Sequence, residues 1–312
     1  MREVADLSGQ PRSEERKNMI ENEGQREQKI VTIFDDIYNL PDCSTYYRAM
    51  DHAGFRTAHH AAAAFRAVLA ELKRVRGVSD ACIVDFASGY GIGGALTRHR
   101  ITLNDVLMRY RDDWFDNATP EAVIAADRDW YAGHRRPGEA DTYVGIDIAE
   151  KALDYAKAVG IFDQVFAENL QADDPSAGLS QALAVTDLVI ECGSVAHMLP
   201  AALARVLDGA RGRAPWVITA PIRGNDTAEA LKVMQENGLV VEKLGVPPFR
   251  HRRFADDDEQ ARAIANAEAR GHDTEGFETE GYFHAQLFLA RPEGEVTEVS
   301  AWPESPRAAP SA

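Results

Sequence analysis

The residues of this 312-residue chain best suited to chemistry are Asp85, Ser88, Gly89 and Gly91, in the run Val84-Asp85-Phe86-Ala87-Ser88-Gly89-Tyr90-Gly91-Ile92-Gly93-Gly94. Glycines just after an acid let the backbone turn tightly and let a ligand's polar atoms approach main-chain amides without a Cβ in the way. Gly89, Gly91 and Gly94 also satisfy G-x-G-x-x-G, the spacing of dinucleotide sites, which by itself is weak. A dinucleotide site places a ribose-binding acid about 20 residues beyond the glycines. Here the next apolar run ends much later, at Asp147, with Ile148 following. An insertion explains the gap in either case, so these residues leave open a nicotinamide oxidoreductase and a different nucleoside cofactor.

Further candidates follow later apolar runs. Glu168-Asn169-Leu170 comes after one, and Glu191-Cys192-Gly193-Ser194 after the next. A histidine suits proton removal near neutrality, which makes His197 a base candidate, and Ser194 can orient an amine or a carboxylate. Tyr46, Tyr47, Arg48, Arg109, Tyr110 and Arg111 are lid candidates, with Tyr47 the tyrosine expected to act in catalysis. His59 and His60 diverge by about 100° on a helix, so no metal site is expected from them.

The elements that position these residues are legible as changes of period. Helical spacing from Tyr46 to Arg76 (Ala64, Phe65, Val68, Leu69, Leu72) predicts one or two amphipathic helices before any strand. Short continuous apolar runs then recur at Ala81–Asp85, Tyr143–Ile146, Gln164–Ala167, Asp187–Ile190 and Trp216–Thr219. Their alternation with helix-like sequence predicts an α/β doubly wound, mostly parallel sheet with helices on both faces. Leu239–Leu244 and Tyr282–Leu289 read as two closing strands, with a helix between them over Asp257–Arg270. Residues 1–28 and 292–312 read as mobile tails, 29–78 as a helical cap, 79–291 as the α/β domain and 98–142 as a helical insertion within it.

A net charge of −16 opposes binding to a phosphate backbone, and no apolar stretch reaches membrane-spanning length. Three cysteines without a C-x-x-C pair suggest neither a disulfide frame nor zinc. The expectation is a cytoplasmic protein with a small-molecule substrate and no nucleic-acid or membrane partner.

An acid at the end of the first strand followed by G-x-G resembles the first motif of class I S-adenosylmethionine-dependent methyltransferases, over roughly Ala81–Leu289. The resemblance implies a seven-stranded Rossmann-like methyltransferase fold with S-adenosylmethionine as cofactor. Asp85, Ser88, Gly89 and Gly91 would hold its methionine end, Asp147 and Ile148 its ribose side, and Asn169 and Leu170 its adenine, while Glu191, Ser194 and His197 would border the reacting pocket. The base-gripping Asn/Asp-Pro-Pro-aromatic segment and the Pro-Cys nucleophile of nucleic-acid methylases are both absent after the fourth strand. Ile37–Asp42, Asn104-Asp105-Val106 and Arg109–Asp112 look like a bacterial branch of methyltransferase-like proteins. Some methyltransferase-like enzymes of specialised metabolism convert S-adenosylmethionine into azetidine-2-carboxylate or 1-aminocyclopropane-1-carboxylate, releasing methylthioadenosine. Methyl transfer to a small acceptor is therefore the first expectation, such a cyclase the second and an NAD-dependent oxidoreductase the third.

Overall fold

Strands form where the chain runs apolar without a helical period, because both faces of each strand are covered. The computed structural model describes residues 35–192, 200–210 and 212–306. Expectations for the first 34 residues, for Ser194 and for His197 lie outside the described residues. In chain order the elements begin with α1 (Ser44–His52), α2 (Thr57–Arg76), β1 (Cys82–Phe86), α3 (Ile92–Arg98), α4 (Leu103–Arg109), α5 (Trp114–Asn117) and α6 (Pro120–His134). There follow β2 (Thr142–Asp147), α7 (Glu150–Ala158), β3 (Gln164–Ala167), α8 (Ala177–Leu183), β4 (Leu188–Glu191), α9 (Pro200–Gly209) and β5 (Trp216–Thr219). The last are α10 (Ala228–Glu236), β6 (Leu239–Lys243), β7 (Phe249–Arg253), α11 (Asp257–Ala269), β8 (Tyr282–Ala285) and β9 (Phe288–Pro292).

The main sheet has the order β3-β2-β1-β4-β5-β9-β6. Strands β1 to β5 pair in parallel, and β9 runs antiparallel between β5 and β6. On one face Ile83, Tyr143, Leu188, Ile190, Trp216 and Ile218 join a core with Ala61, Phe65, Val68 and Leu72 of α2. On the other, Val84, Phe86, Val144, Ile146, Val189 and Val217 pack with Leu179, Leu203, Val206 and Met234 of α8, α9 and α10. Each such fully buried aliphatic side chain contributes roughly 1.5–3 kcal/mol. Strand order reverses between β1 and β4, which opens a crevice at the carboxyl ends of those strands.

The insertion is α4 to α6, started by strong helix signals. Thr102 and Asp105 form a reciprocal capping box on α4, and Thr119 caps α6 with Pro120 in its first turn.

Two expectations change. The single late strand over Tyr282–Leu289 is split at Gln286-Leu287: β8 pairs with β7 in a separate two-stranded sheet, and β9 closes the main sheet. β7 was hidden by its charge, Phe249-Arg250-His251-Arg252-Arg253. Those polar groups find partners outside the strand, as Arg252 pairs with Glu259 at 2.7 Å and His251 Nδ1 lies 2.6 Å from Thr57 Oγ1. The same strand is bound to the cap through its main chain, where the Arg56 amide donates to the His251 carbonyl at 2.7 Å and the Arg253 amide to that of Ala53 at 2.9 Å. The segment after Pro292, expected as a tail, is packed as far as it is described. Glu295 accepts from Arg76 Nε at 3.0 Å and from Trp216 Nε1 at 2.5 Å, and Trp302 is buried.

Candidate functional site

β1 delivers Asp85 to the crevice, where its Oδ2 accepts the amide of Gly94 at 2.7 Å and so satisfies an orphan donor in the first turn of α3. Asp85 is 2% exposed. Burial first, then the like charges of Glu191 and Asp147, raise its carboxyl to about 8 against the relief given by the Gly94 amide. The turn beyond it runs through left-handed backbone at Ala87 (φ +56°), Gly89 (+50°) and Gly91 (+79°). Ala87 is the non-glycine exception among the described residues, at a local cost of about 1–2 kcal/mol.

The glycines divide into two jobs. A Cβ on Gly89 would stand 2.5 Å from Tyr38 Oη, so this glycine makes room for the Tyr38 side chain against the turn. Cβ atoms on Gly91, Gly94 and Gly145 would stand 2.9, 2.8 and 2.6 Å from the Phe162 ring. The G-x-G-x-x-G spacing thus has a packing cause in part, since Phe162 fills the space that the later glycines leave.

β2 places Asp147 beside the turn. Its Oδ2 accepts the Gly89 amide at 2.8 Å and the Tyr38 hydroxyl at 3.1 Å, while Oδ1 accepts the Ala149 amide at 2.9 Å. From β4, buried Glu191 accepts the Thr219 hydroxyl at 2.7 Å through Oε2. Asp85, Asp147 and Glu191 therefore gather three carboxylates at one edge. Among the described residues no lysine or arginine forms an ion pair with Asp85 or Asp147. Ser88 is buried with its hydroxyl unpartnered, and Ile148, next to Asp147, is 72% exposed. An anionic crevice with an orphan hydroxyl and an exposed aliphatic side chain suits a ligand that carries positive charge, hydroxyls and an apolar ring.

Other sequence candidates fall differently. Asn169 is exposed and accepts the Gln171 amide at 3.1 Å, whereas Leu170 is buried in the core of the α8–α10 face. Glu168 caps α8 through Ser176, at 2.9 Å from its amide and 2.6 Å from its hydroxyl. Tyr47 is fully buried and stacks on Tyr110 with ring centroids 5.1 Å apart. The three lid arginines are engaged inside the lid itself: Arg48 with Asp116, Arg109 with Asp127 and Arg111 with Asp51. His60 packs on Phe249, 5.0 Å between centroids, and among the described residues no cluster has metal-ligand character.

Sequence reasoning named Tyr46 as a lid candidate but missed that Tyr38 and Tyr90 join it in an aromatic wall of the crevice. Tyr38, Tyr46 and Tyr90 meet with centroids 5.4, 6.4 and 5.1 Å apart for the pairs 38–46, 38–90 and 46–90. Burial first, then the charge of Asp147, push the Tyr46 hydroxyl above its ordinary range. The signal was in α1: Cys43, Tyr47 and Met50 form one buried stripe, so Tyr46 must point elsewhere. Behind this wall, buried Asp127 accepts the hydroxyls of Tyr110 at 2.8 Å and Tyr155 at 2.7 Å and Arg109 Nε at 2.8 Å. Tyr155 in turn packs edge-on to Tyr90, 5.7 Å away.

No family model and no curated protein sequence matches the chain. Among solved structures, a TehB-like SAM-dependent methyltransferase from Corynebacterium glutamicum aligns at 15% identity and TM-score 0.35, over 87% of this chain and 98% of that one. The plantazolicin methyltransferase BpumL in complex with SAH aligns at 10% identity and TM-score 0.41, over 89% of this chain and 99% of that one. A SAM-dependent methyltransferase from Aquifex aeolicus aligns at 12% identity and TM-score 0.36, over 79% of this chain and 97% of that one. The fold assignment rests on the sheet itself: a parallel β3-β2-β1-β4-β5 core closed by antiparallel β9 and then β6 is the class I methyltransferase fold.

Proposed function

We propose that this chain is an S-adenosylmethionine-dependent enzyme that transfers the cofactor's methyl group to a small-molecule acceptor. The observation that carries the reading is the pair Asp85 and Asp147, which the parallel register puts on one face of adjacent strands, with no lysine or arginine paired to either among the described residues. Coulomb attraction there favours a sulfonium and an ammonium over any anionic ligand. Asp147 would take the ribose hydroxyls and Ile148 the face of the adenine, while Asp85, Ser88 and the glycine turn would hold the methionine end. The cofactor supplies an activated methyl group. The residues of this chain bind and orient it, and Tyr38, Tyr46 and Tyr90 narrow the access of water.

Tyr38 and Tyr46 of the cap wall the site together with Tyr90, and the insertion packs behind them, which fits a small acceptor better than a polymer. Cytoplasmic residence is part of the same reading; among the described residues no helix is long and apolar enough to cross a membrane. The test is to incubate the protein with S-adenosylmethionine, with and without a panel of small amines, phenols and acids, and to identify the nucleoside formed. S-Adenosylhomocysteine that appears only with an acceptor supports the reading. Methylthioadenosine formed from the cofactor alone would replace it with the cyclase.

A further inference from the structure

Asp147 has four lone-pair sites, and the described residues use three of them. The Gly89 amide and the Tyr38 hydroxyl fill Oδ2, and the Ala149 amide takes one site on Oδ1. A vicinal diol needs two acceptors and finds one vacant. The Gly89 and Ala149 amides belong to the turn and to the start of α7 and cannot leave without unmaking them, so Tyr38 is the partner that can move.

Tyr38 sits on a short strap tied to the glycine turn and to the start of α7. The Tyr90 hydroxyl lies 2.9 Å from the Leu40 amide and 3.0 Å from the Leu40 carbonyl, and Asn39 Oδ1 accepts the Lys151 amide at 2.8 Å in the first turn of α7. The Tyr38 ring meets the open side of Gly89, where its hydroxyl occupies the place of the missing Cβ.

We propose that Tyr38 is a competing internal ligand of Asp147, and that a ribose diol binds by displacing its hydroxyl, so that Tyr38 sets the affinity and ligand selectivity of the nucleoside site. The proposal rests on the reading of Asp147 as the ribose acceptor. Tyr38→Phe keeps the ring and removes the competitor, leaving two acceptor sites ready for the diol. Asn39→Ala loosens the strap without touching Asp147, so it weakens the same competition indirectly.

The experiment is calorimetric titration of the full chain with S-adenosylhomocysteine and with its 2′-deoxy analogue. Tyr38→Phe should bind S-adenosylhomocysteine about tenfold more tightly than the unsubstituted protein, the scale of one hydrogen bond to a charged acceptor. It should also discriminate more strongly against the deoxy analogue, and Asn39→Ala should shift affinity in the same direction by less. Equal or weaker binding by Tyr38→Phe, with the unsubstituted protein binding normally, overturns the proposal alone. No binding by either protein overturns the ribose-site reading and the proposal with it.

Discussion

Asp85 Oδ2 lies 2.7 Å from the Gly94 amide, and this single bond offsets only part of what burial costs the carboxylate, whose pKa stands at about 8. A carboxyl raised in the folded state contributes stability that is fully present below its ordinary range and is lost as pH rises through about 8. A bound cation favours the ionised form, so its binding releases a proton and its affinity climbs as pH approaches about 8. Titrations of S-adenosylmethionine in two buffers of different ionisation enthalpy should report that proton, and Asp85→Asn should abolish it. A pH-independent affinity in the unsubstituted protein would contradict the account.

Asp147→Ala should weaken S-adenosylhomocysteine binding by about 2–3 kcal/mol, because buried hydroxyls lose a charged acceptor. Calorimetry measures it directly. Affinity that stays unchanged means the ribose lies elsewhere.

Gly145→Ala drives a methyl to within 2.6 Å of the Phe162 ring in a packed layer. The expected cost is about 1–3 kcal/mol in urea unfolding. Combining it with Phe162→Leu should recover much of the loss, so the two changes should be non-additive. Strict additivity would mean that Phe162 is not what excludes a side chain there.

Asp127→Asn leaves Arg109 without its buried carboxylate and two tyrosine hydroxyls with a weaker acceptor. Unfolding free energy should fall by about 3 kcal/mol. Because Tyr155 packs on Tyr90, quenching of tyrosine fluorescence by added ligand should change as well.

The parallel strands were readable because burial on both faces leaves an unbroken apolar run, as in Ile83-Val84 and Leu188-Val189-Ile190. What escaped was whatever depends on a partner outside its own element. Phe249–Arg253 looks too charged for a strand until Glu259 and Thr57 are placed beside it, and the Pro- and Glu-rich end looks loose until Glu295 meets Arg76 and Trp216. Asp85 carried a motif of its own, whereas Tyr38 stood only within the Ile37–Asp42 resemblance, which gave it no role. Its role arises from a hydrogen bond spanning 109 positions of sequence, and no local pattern encodes such a contact.

The bonds from Ala53 and Arg56 to Arg253 and His251 splice two stretches of chain almost two hundred positions apart into one seam. A seam of main-chain hydrogen bonds does not part for each turnover. The loop between α1 and α2 is thereby fastened to β7, so a change in the helical cap is felt in the two-stranded sheet and the reverse.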